Sequence, residues 1–286
     1  MLNPLSEAVY TPGSALRRPR QLFRSMWHDL RASRELAWRL LVRDLSAHYR
    51  QSMLGYVWAF LPPIATTLTF VFLNSQKIVG LSVGGSRVPY PVYVMVGTIL
   101  WQGFVDALNS PIKLLTSSKA MLAKISFPRE ALILAGMGEV LFNFTIRLIL
   151  LPIVFLWFRS PVPLTALLAP FGALSLLALG FVIGMLLAPL GMLYNDIERS
   201  IAIFVSLWFF LTPVVYDPPT AWPASLLATL NPVSSLLVTA REMLTTGSLT
   251  RLNEFLIVSS ANLVLLLVGW LLYRLAIPHL IERMSA

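Results

Sequence analysis

The chain contains no cysteine. Disulfides, thiolate nucleophiles and cysteine-based metal sites are therefore excluded. Histidine is almost as scarce: His28, His48 and His279 lie far apart and share no metal-ligand spacing. Charge is thin as well, with 12% of residues charged against about 25% in an ordinary soluble domain. No Gly-Lys pair occurs, so the phosphate-cradling G-x-x-x-x-G-K-[ST] loop is missing and any nucleotide engine belongs to a separate chain. The Gly-rich run Ser82–Ser86 lacks the lysine and reads as a turn. Paired carboxylates, a serine triad and a metal constellation are likewise missing, which argues against a membrane hydrolase. An apolar core within the first 15–30 residues, the mark of a secretory signal peptide, is not found either.

What is present is apolar. Of 286 residues 57% are hydrophobic and the mean hydropathy is +0.74. A bilayer core of about 30 Å needs roughly 20 such residues as helix. Six stretches are predicted to span: 55–79, 90–108, 131–158, 164–193, 201–216 and 255–277. The fifth is short for a crossing and is expected to begin in the preceding loop or to sit tilted. The fold class that follows is all-α integral membrane, with both termini on one side.

The basic residues choose that side. Nine arginines (Arg17, Arg18, Arg20, Arg24, Arg31, Arg34, Arg39, Arg43, Arg50) precede the first span. With six spans they join Lys113, Lys119, Lys124, Arg129, Arg199, Arg274 and Arg283 on one face. Only Lys77, Arg87, Arg159, Arg241 and Arg251 fall on the other, sixteen against five, with Arg147 inside a span. The positive-inside rule then puts both ends in the cytoplasm and accounts for the +9 net charge better than nucleic-acid binding does.

Three segments do not span. Residues 31–54 are predicted as an amphipathic interface helix after a cytoplasmic tail, 1–30, of which 1–19 is expected to be poorly ordered. Trp38, Leu41, Val42, Leu45 and Tyr49 form its apolar face, with Arg39, Arg43, Ser46 and Arg50 opposite. Gly55 then permits a turn, and Pro62–Pro63 interrupt backbone bonding in the first span. Residues 110–130 suit a short cytoplasmic helix, with Pro111 as its start and Pro128 as its stop. A docking element for a soluble partner and a plain basic loop both fit them. Residues 217–254, Pro-punctuated and half apolar, read as short re-entrant helices at the outer mouth or as a surface-lying loop.

Within the spans, Asp106 is expected to be merely interfacial. Glu139, Asn143 and Arg147 form a polar stripe at i, i+4 and i+8, favoured as a structural or subunit contact over a proton relay. Gly180 and Gly184 form G-x-x-x-G, for packing within the chain or between copies. Aromatic residues mark interfacial belts, and some, candidates being Tyr56, Trp58, Trp101, Phe104, Phe209 and Tyr216, offer ring faces to a sugar in a channel.

Four stretches carry a resemblance: RDLSAHYRQSMLGYVWAFLPP (43–63), SFPREALIL (126–134), NDIERSIAIFVSLWFFLTPVVYD (195–217) and LNPVSSLLVTARE (230–242). In this order they resemble the membrane-spanning subunit of ABC-2-type exporters of cell-surface polysaccharides: O-antigen, capsule and teichoic acid permeases. The resemblance implies six transmembrane helices over 55–286 in the inner membrane, a homodimer and two ATP-binding cassette subunits beneath it. ATP and Mg would sit on those subunits, with no cofactor on this chain. It implies that 110–130, with Lys113, Lys119, Lys124 and Arg129, is the coupling loop to the ATPase. Residues 217–254 become the external gate, and the substrate a glycan on undecaprenyl diphosphate whose pyrophosphate Arg43 and Arg50 hold. Export of a drug, peptide or lipid, a membrane glycosyltransferase and a proton-coupled carrier using Glu139 remain alternatives.

Overall fold

The computed structural model describes residues 19–50, 53, 55–78, 88–119, 130–194 and 196–285. Eleven α-helices lie among them. In chain order they are α1 (Pro19–Ala32), α2 (Arg34–Arg50), α3 (Val57–Ser75), α4 (Tyr90–Ser117), α5 (Glu130–Leu148), α6 (Leu150–Trp157), α7 (Ala169–Leu193), α8 (Asp196–Leu211), α9 (Ala224–Leu230), α10 (Pro232–Thr245) and α11 (Leu252–Ser285). A 3₁₀ turn, Leu164–Leu168, leads into α7. No strand occurs among the described residues.

Among the described residues, five helical stretches are long and apolar enough to cross a membrane: α3, α4, the continuous pair α5–α6, the 3₁₀ turn with α7, and α11 over Leu252–Ile277. The remaining predicted span, the fifth (201–216), corresponds to α8. It begins in the preceding loop, at Asp196, but holds only 16 residues, about 24 Å at the α-helical rise. That is short of a bilayer core unless the membrane thins around it. The α5–α6 break falls at Ile149. Pro152 offers no N–H to the Leu148 carbonyl there, so the ladder is interrupted at that point.

At the centre stands α4, flanked by α3, α5, α7 and α10. Of its apolar window 78% is buried, against 17% for α3 and 22% for α11, so the outer helices leave most of their apolar surface uncovered by this chain. In lipid, helices associate by close packing rather than by hydrophobic driving force. Small residues accordingly form the α4–α7 seam. A Cβ added at Gly180 would lie 2.5 Å from the Phe104 carbonyl oxygen, and one at Gly184 would overlap that of Leu108. The G-x-x-x-G motif therefore packs within the chain. Across α3 and α4 the buried hydroxyls of Thr67 and Thr98 lie 3.2 Å apart.

The structure corrects several sequence expectations. Helix starts at Pro19, inside the presumed tail: α1 precedes the expected interface helix, which is α2, and the two meet at the fully buried Ser33. The apolar face of α2 is divided. Trp38 and Val42 are exposed, whereas Ala37 and Leu40 are buried and Leu41 and Leu45 half-buried, with α2 lying along α5. Periodicity cannot distinguish a face against lipid from one against protein, and here the apolar residues serve both. Gly55 does adopt a left-handed backbone, φ +50°, at the corner before α3, a conformation that glycine reaches without a Cβ penalty. Pro111 is not a helix start; it lies buried inside α4, which continues to Ser117. Residues 1–18 and 120–129 lie outside the described residues.

Beyond α8 the chain runs non-helical from Thr212 to Pro223, and its carbonyls need donors. The Arg241 guanidinium, fully buried on α10, donates through Nη1 to the Pro213 and Val214 carbonyls at 2.9 and 3.0 Å. Tyr90 and Tyr93 donate to the Val215 and Tyr216 carbonyls. Burial lowers the Arg241 pKa, opposed by Tyr93, Asp217 and Glu242, and the ring of Tyr93 lies 3.7 Å from its guanidinium carbon. Arg251 likewise donates to the Ala228 carbonyl at 3.0 Å. Two of the five basic residues that oppose the charge asymmetry thus have structural partners. Since α10 is almost wholly buried, the surface-loop reading of 217–254 fails for that helix.

Asn231 joins α8 to α10. Its Oδ1 accepts from the Val233 N–H at 3.1 Å and from Trp208 Nε1 at 3.2 Å, and its Nδ2 donates to Thr212 Oγ1 at 2.9 Å. Asn231→Ala removes the helix cap and leaves two partners unpaired, a loss of about 2 kcal/mol. Thermal unfolding in detergent should show this loss, and Asn231→Asp, which keeps the acceptor, should cost less.

Candidate functional site

The polar stripe on the third span faces a cavity. Glu139, Asn143 and Arg147 of α5 line it together with Arg43, Asp44 and Ala47 of α2 and with Asp106, Asn109, Ser110, Lys113, Ser117 and Ser118 from α4 and its end. Its volume is about 710 Å³. Three cations (Arg43, Lys113, Arg147) and three carboxylates (Asp44, Asp106, Glu139) share the wall. Five of the lining residues, Arg43, Lys113, Glu139, Asn143 and Arg147, are candidates from the sequence alone, under three different roles. The sequence does not show that they meet, because the meeting depends on how α2 lies along α5.

Arg147 organises the inner wall. It is 6% exposed and pairs with Asp106, which Gln102 also reaches at 3.2 Å. This overturns the expectation that Asp106 is merely interfacial. The Arg147 Nε donates to the Ala59 carbonyl oxygen at 3.0 Å. In a regular helix the donor to that carbonyl would be the N–H of residue 63, and residue 63 is proline. Arg147 thus replaces the bond that Pro63 removes. One guanidinium thereby ties α3, α4 and α5 together at the proline break.

At the cavity's rim Arg43 is exposed, its Nε 2.8 Å from Asp44 Oδ1. Lys113 is exposed and Lys119 half-buried at the end of the described α4 segment. Arg50 closes α2; Lys124 and Arg129 lie outside the described residues. The cavity can hold a polar, partly anionic group between α2 and α4. It offers no nucleophile–base pair, and no metal-binding group of His, Cys, Asp and Glu occurs among the described residues.

The aromatic candidates separate by burial. Trp101 and Phe104 are buried in a ring cluster with Trp208 and Phe209, centroids 5.4 to 5.7 Å apart. They are core of this chain and do not line an open path through it. Phe209 and Tyr216 are half-buried, and Tyr56 and Trp58 are exposed. Sequence reasoning missed Tyr93 and gave Arg241 no role beyond its place in the charge count.

Residues 35–244 match the family described as ABC-2 type transporter. The chain belongs to that family. ABC-2 membership covers the interface helix, the cavity and the buried α10, and agrees with a multi-pass membrane protein that works as a transporter component. Among its relatives is the O-antigen export system permease protein RfbA of Myxococcus xanthus, 26% identical over 231 residues, covering 79% of this chain and 86% of the relative. A protein of the same name from Klebsiella pneumoniae is 24% identical over 213 residues, 72% of this chain and 79% of its own.

Proposed function

We propose that this ABC-2 chain is the permease subunit of an ATP-driven exporter that carries a lipid-linked, O-antigen-like polysaccharide across the inner membrane. ATP hydrolysis belongs to separate ATP-binding cassette subunits, since the chain has no phosphate-cradling loop of its own. A hydrated glycan cannot cross hydrocarbon without a polar conduit. One copy has too few helices to encircle such a chain, so the conduit forms between two copies. The cationic end of the bundle is cytoplasmic, with α8 as the fifth of six crossings. Residues 110–130 form the coupling region beneath, and 217–254 the external gate.

The observation that carries this reading is the cavity between α2, α4 and α5, with Arg43 and Lys113 at its rim. Its cations suit the pyrophosphate of the carrier lipid, with Arg50 about two turns beyond Arg43 on the same helix. In proteoliposomes holding the chain and its ATPase, lipid-linked glycan is expected to stimulate ATP hydrolysis. Arg43→Gln with Lys113→Gln should raise the KM for that glycan about tenfold with a smaller change in kcat, as loss of a ground-state contact does. Stimulation by a drug, peptide or plain lipid instead of the glycan would assign another cargo. Sugar transfer by the isolated chain would make it an enzyme.

A further inference from the structure

Away from this cavity, three chain-distant elements meet on one guanidinium. Arg274, in the C-terminal third of α11, donates through Nη1 to Glu130 Oε1 at 2.8 Å. Its Nη2 donates to Asp29 Oδ2 at 2.6 Å and to Ser25 Oγ at 3.4 Å. The Arg274 side chain is 10% exposed and that of Glu130 is 7%. Asp29 and Ser25 belong to α1, and Glu130 is the first residue of α5. Burying a charged cluster costs desolvation, and apolar residues would hold these helices as firmly. The best-attested use of such a cluster is to fix register. The planar fork of arginine can hold two carboxylates in set directions, whereas a lysine ammonium is a point charge.

From Asp29 the restraint passes to the cavity wall. Ser33, fully buried at the α1–α2 joint, donates through both Oγ and N–H to the Asp29 carbonyl, at 2.6 and 2.8 Å, and its own carbonyl accepts from the Ala37 N–H. Backbone bonding therefore continues through the joint. Further along, α2 lies so close to α5 that a Cβ at Gly138 would be 2.8 Å from Leu41 Cδ2. Its next turns supply Arg43, Asp44 and Ala47 to the cavity.

We propose that Arg274 is a positioning residue for the substrate cavity. By holding Asp29 and Glu130 together it fixes the α1–α2 arm against α5 and α11, and so sets how far Arg43 stands from Lys113. The geometric part stands alone; its consequence for transport rests on the function proposed above. Because the chain has no cysteine, Ala47→Cys and Ser117→Cys, on opposite cavity walls, give two spin-label sites per copy; with a cysteine-free ATPase and dilution by unlabelled copies the full assembly reports the distance within one chain. Arg274→Gln should shift or broaden the distance between the labels, and raise the KM for lipid-linked glycan about tenfold with kcat changed less, while Arg274→Lys falls between. Asp29→Asn should do the same. It leaves the Arg274–Glu130 pair intact and serves if the arginine variant does not fold. Unchanged distances in both variants overturn the proposal, as does a shifted distance with an unchanged KM. A shifted distance in a transporter whose parent ignores the glycan supports the positioning and overturns the proposed cargo.

Discussion

Arg147→Met is expected to destabilise the protein by about 3 kcal/mol, the low end for removing one partner of a buried ion pair. Two general magnitudes bear on this site and disagree. Polar contacts between membrane helices average about 0.6 kcal/mol, because an unfolded helix in the bilayer finds other partners. The loss at Arg147 is larger for two reasons. Its Nε serves a carbonyl, that of Ala59, which Pro63 has deprived of an intrahelical donor, and Pro62, the residue at i+3, has no N–H to offer either. Its removal also leaves the Asp106 carboxylate without its cation. The loss does not reach the top of the range, since Asp106 is 25% exposed at the cavity wall and water there can solvate it.

A double-mutant cycle isolates the argument. Pro63→Ala restores an N–H opposite Ala59, so Arg147→Met should cost less in that background, although residues 63 and 147 interact only through the carbonyl they share. Arg147→Lys should fall between, as an ammonium cannot serve carbonyl and carboxylate with the directed geometry of a guanidinium. Thermal unfolding of the four proteins in detergent decides it. Strictly additive losses would mean that Arg147 does not compensate for the proline.

The same residues show how far the sequence could be read. The apolar stretches were visible, because hydrocarbon thickness acts over about twenty residues at a time. The stripe Glu139, Asn143, Arg147 was visible because 3.6-residue periodicity is local. That Arg147 answers Pro63 was not, although both halves of the cue, a helix proline and a lone arginine within a span, stood in the chain: the pairing joins positions 84 apart. Arg241 was opaque for the same reason. It appeared as an exception to the positive-inside count until the carbonyls of Pro213 and Val214 came to lie beside it. The division of the α2 face was hidden differently: Trp38 and Leu41 are equally apolar, and only the position of α5 determines which of them meets protein.

The other large effect is expected at the α4–α7 seam: Gly184→Leu should leave no folded protein, and Gly184→Ala should cost about 3 kcal/mol, the upper part of the range for overpacking. The order among glycines follows from what each added Cβ meets. At Gly184 it meets the Leu108 carbonyl oxygen and, at 3.1 Å, Pro111 Cδ. Both belong to the backbone or a closed ring, so α4 and α7 must separate as bodies. Separation forfeits contacts along the whole seam, including those below Gly191, where a Cβ would lie 2.7 Å from Ile112 Cγ2. Lipid gives nothing back for that loss, since chain packing is the main attraction between apolar helices there. At Gly138, by contrast, the obstacle is the tip of Leu41, a side chain that can rotate, so Gly138→Ala should cost well under half as much. A stripe that served contact between two copies would behave otherwise: Gly184→Ala would change the oligomeric state and spare the thermal stability of each copy. Loss of stability in the order Gly184, Gly180, Gly138 therefore distinguishes a seam inside the chain from one between chains.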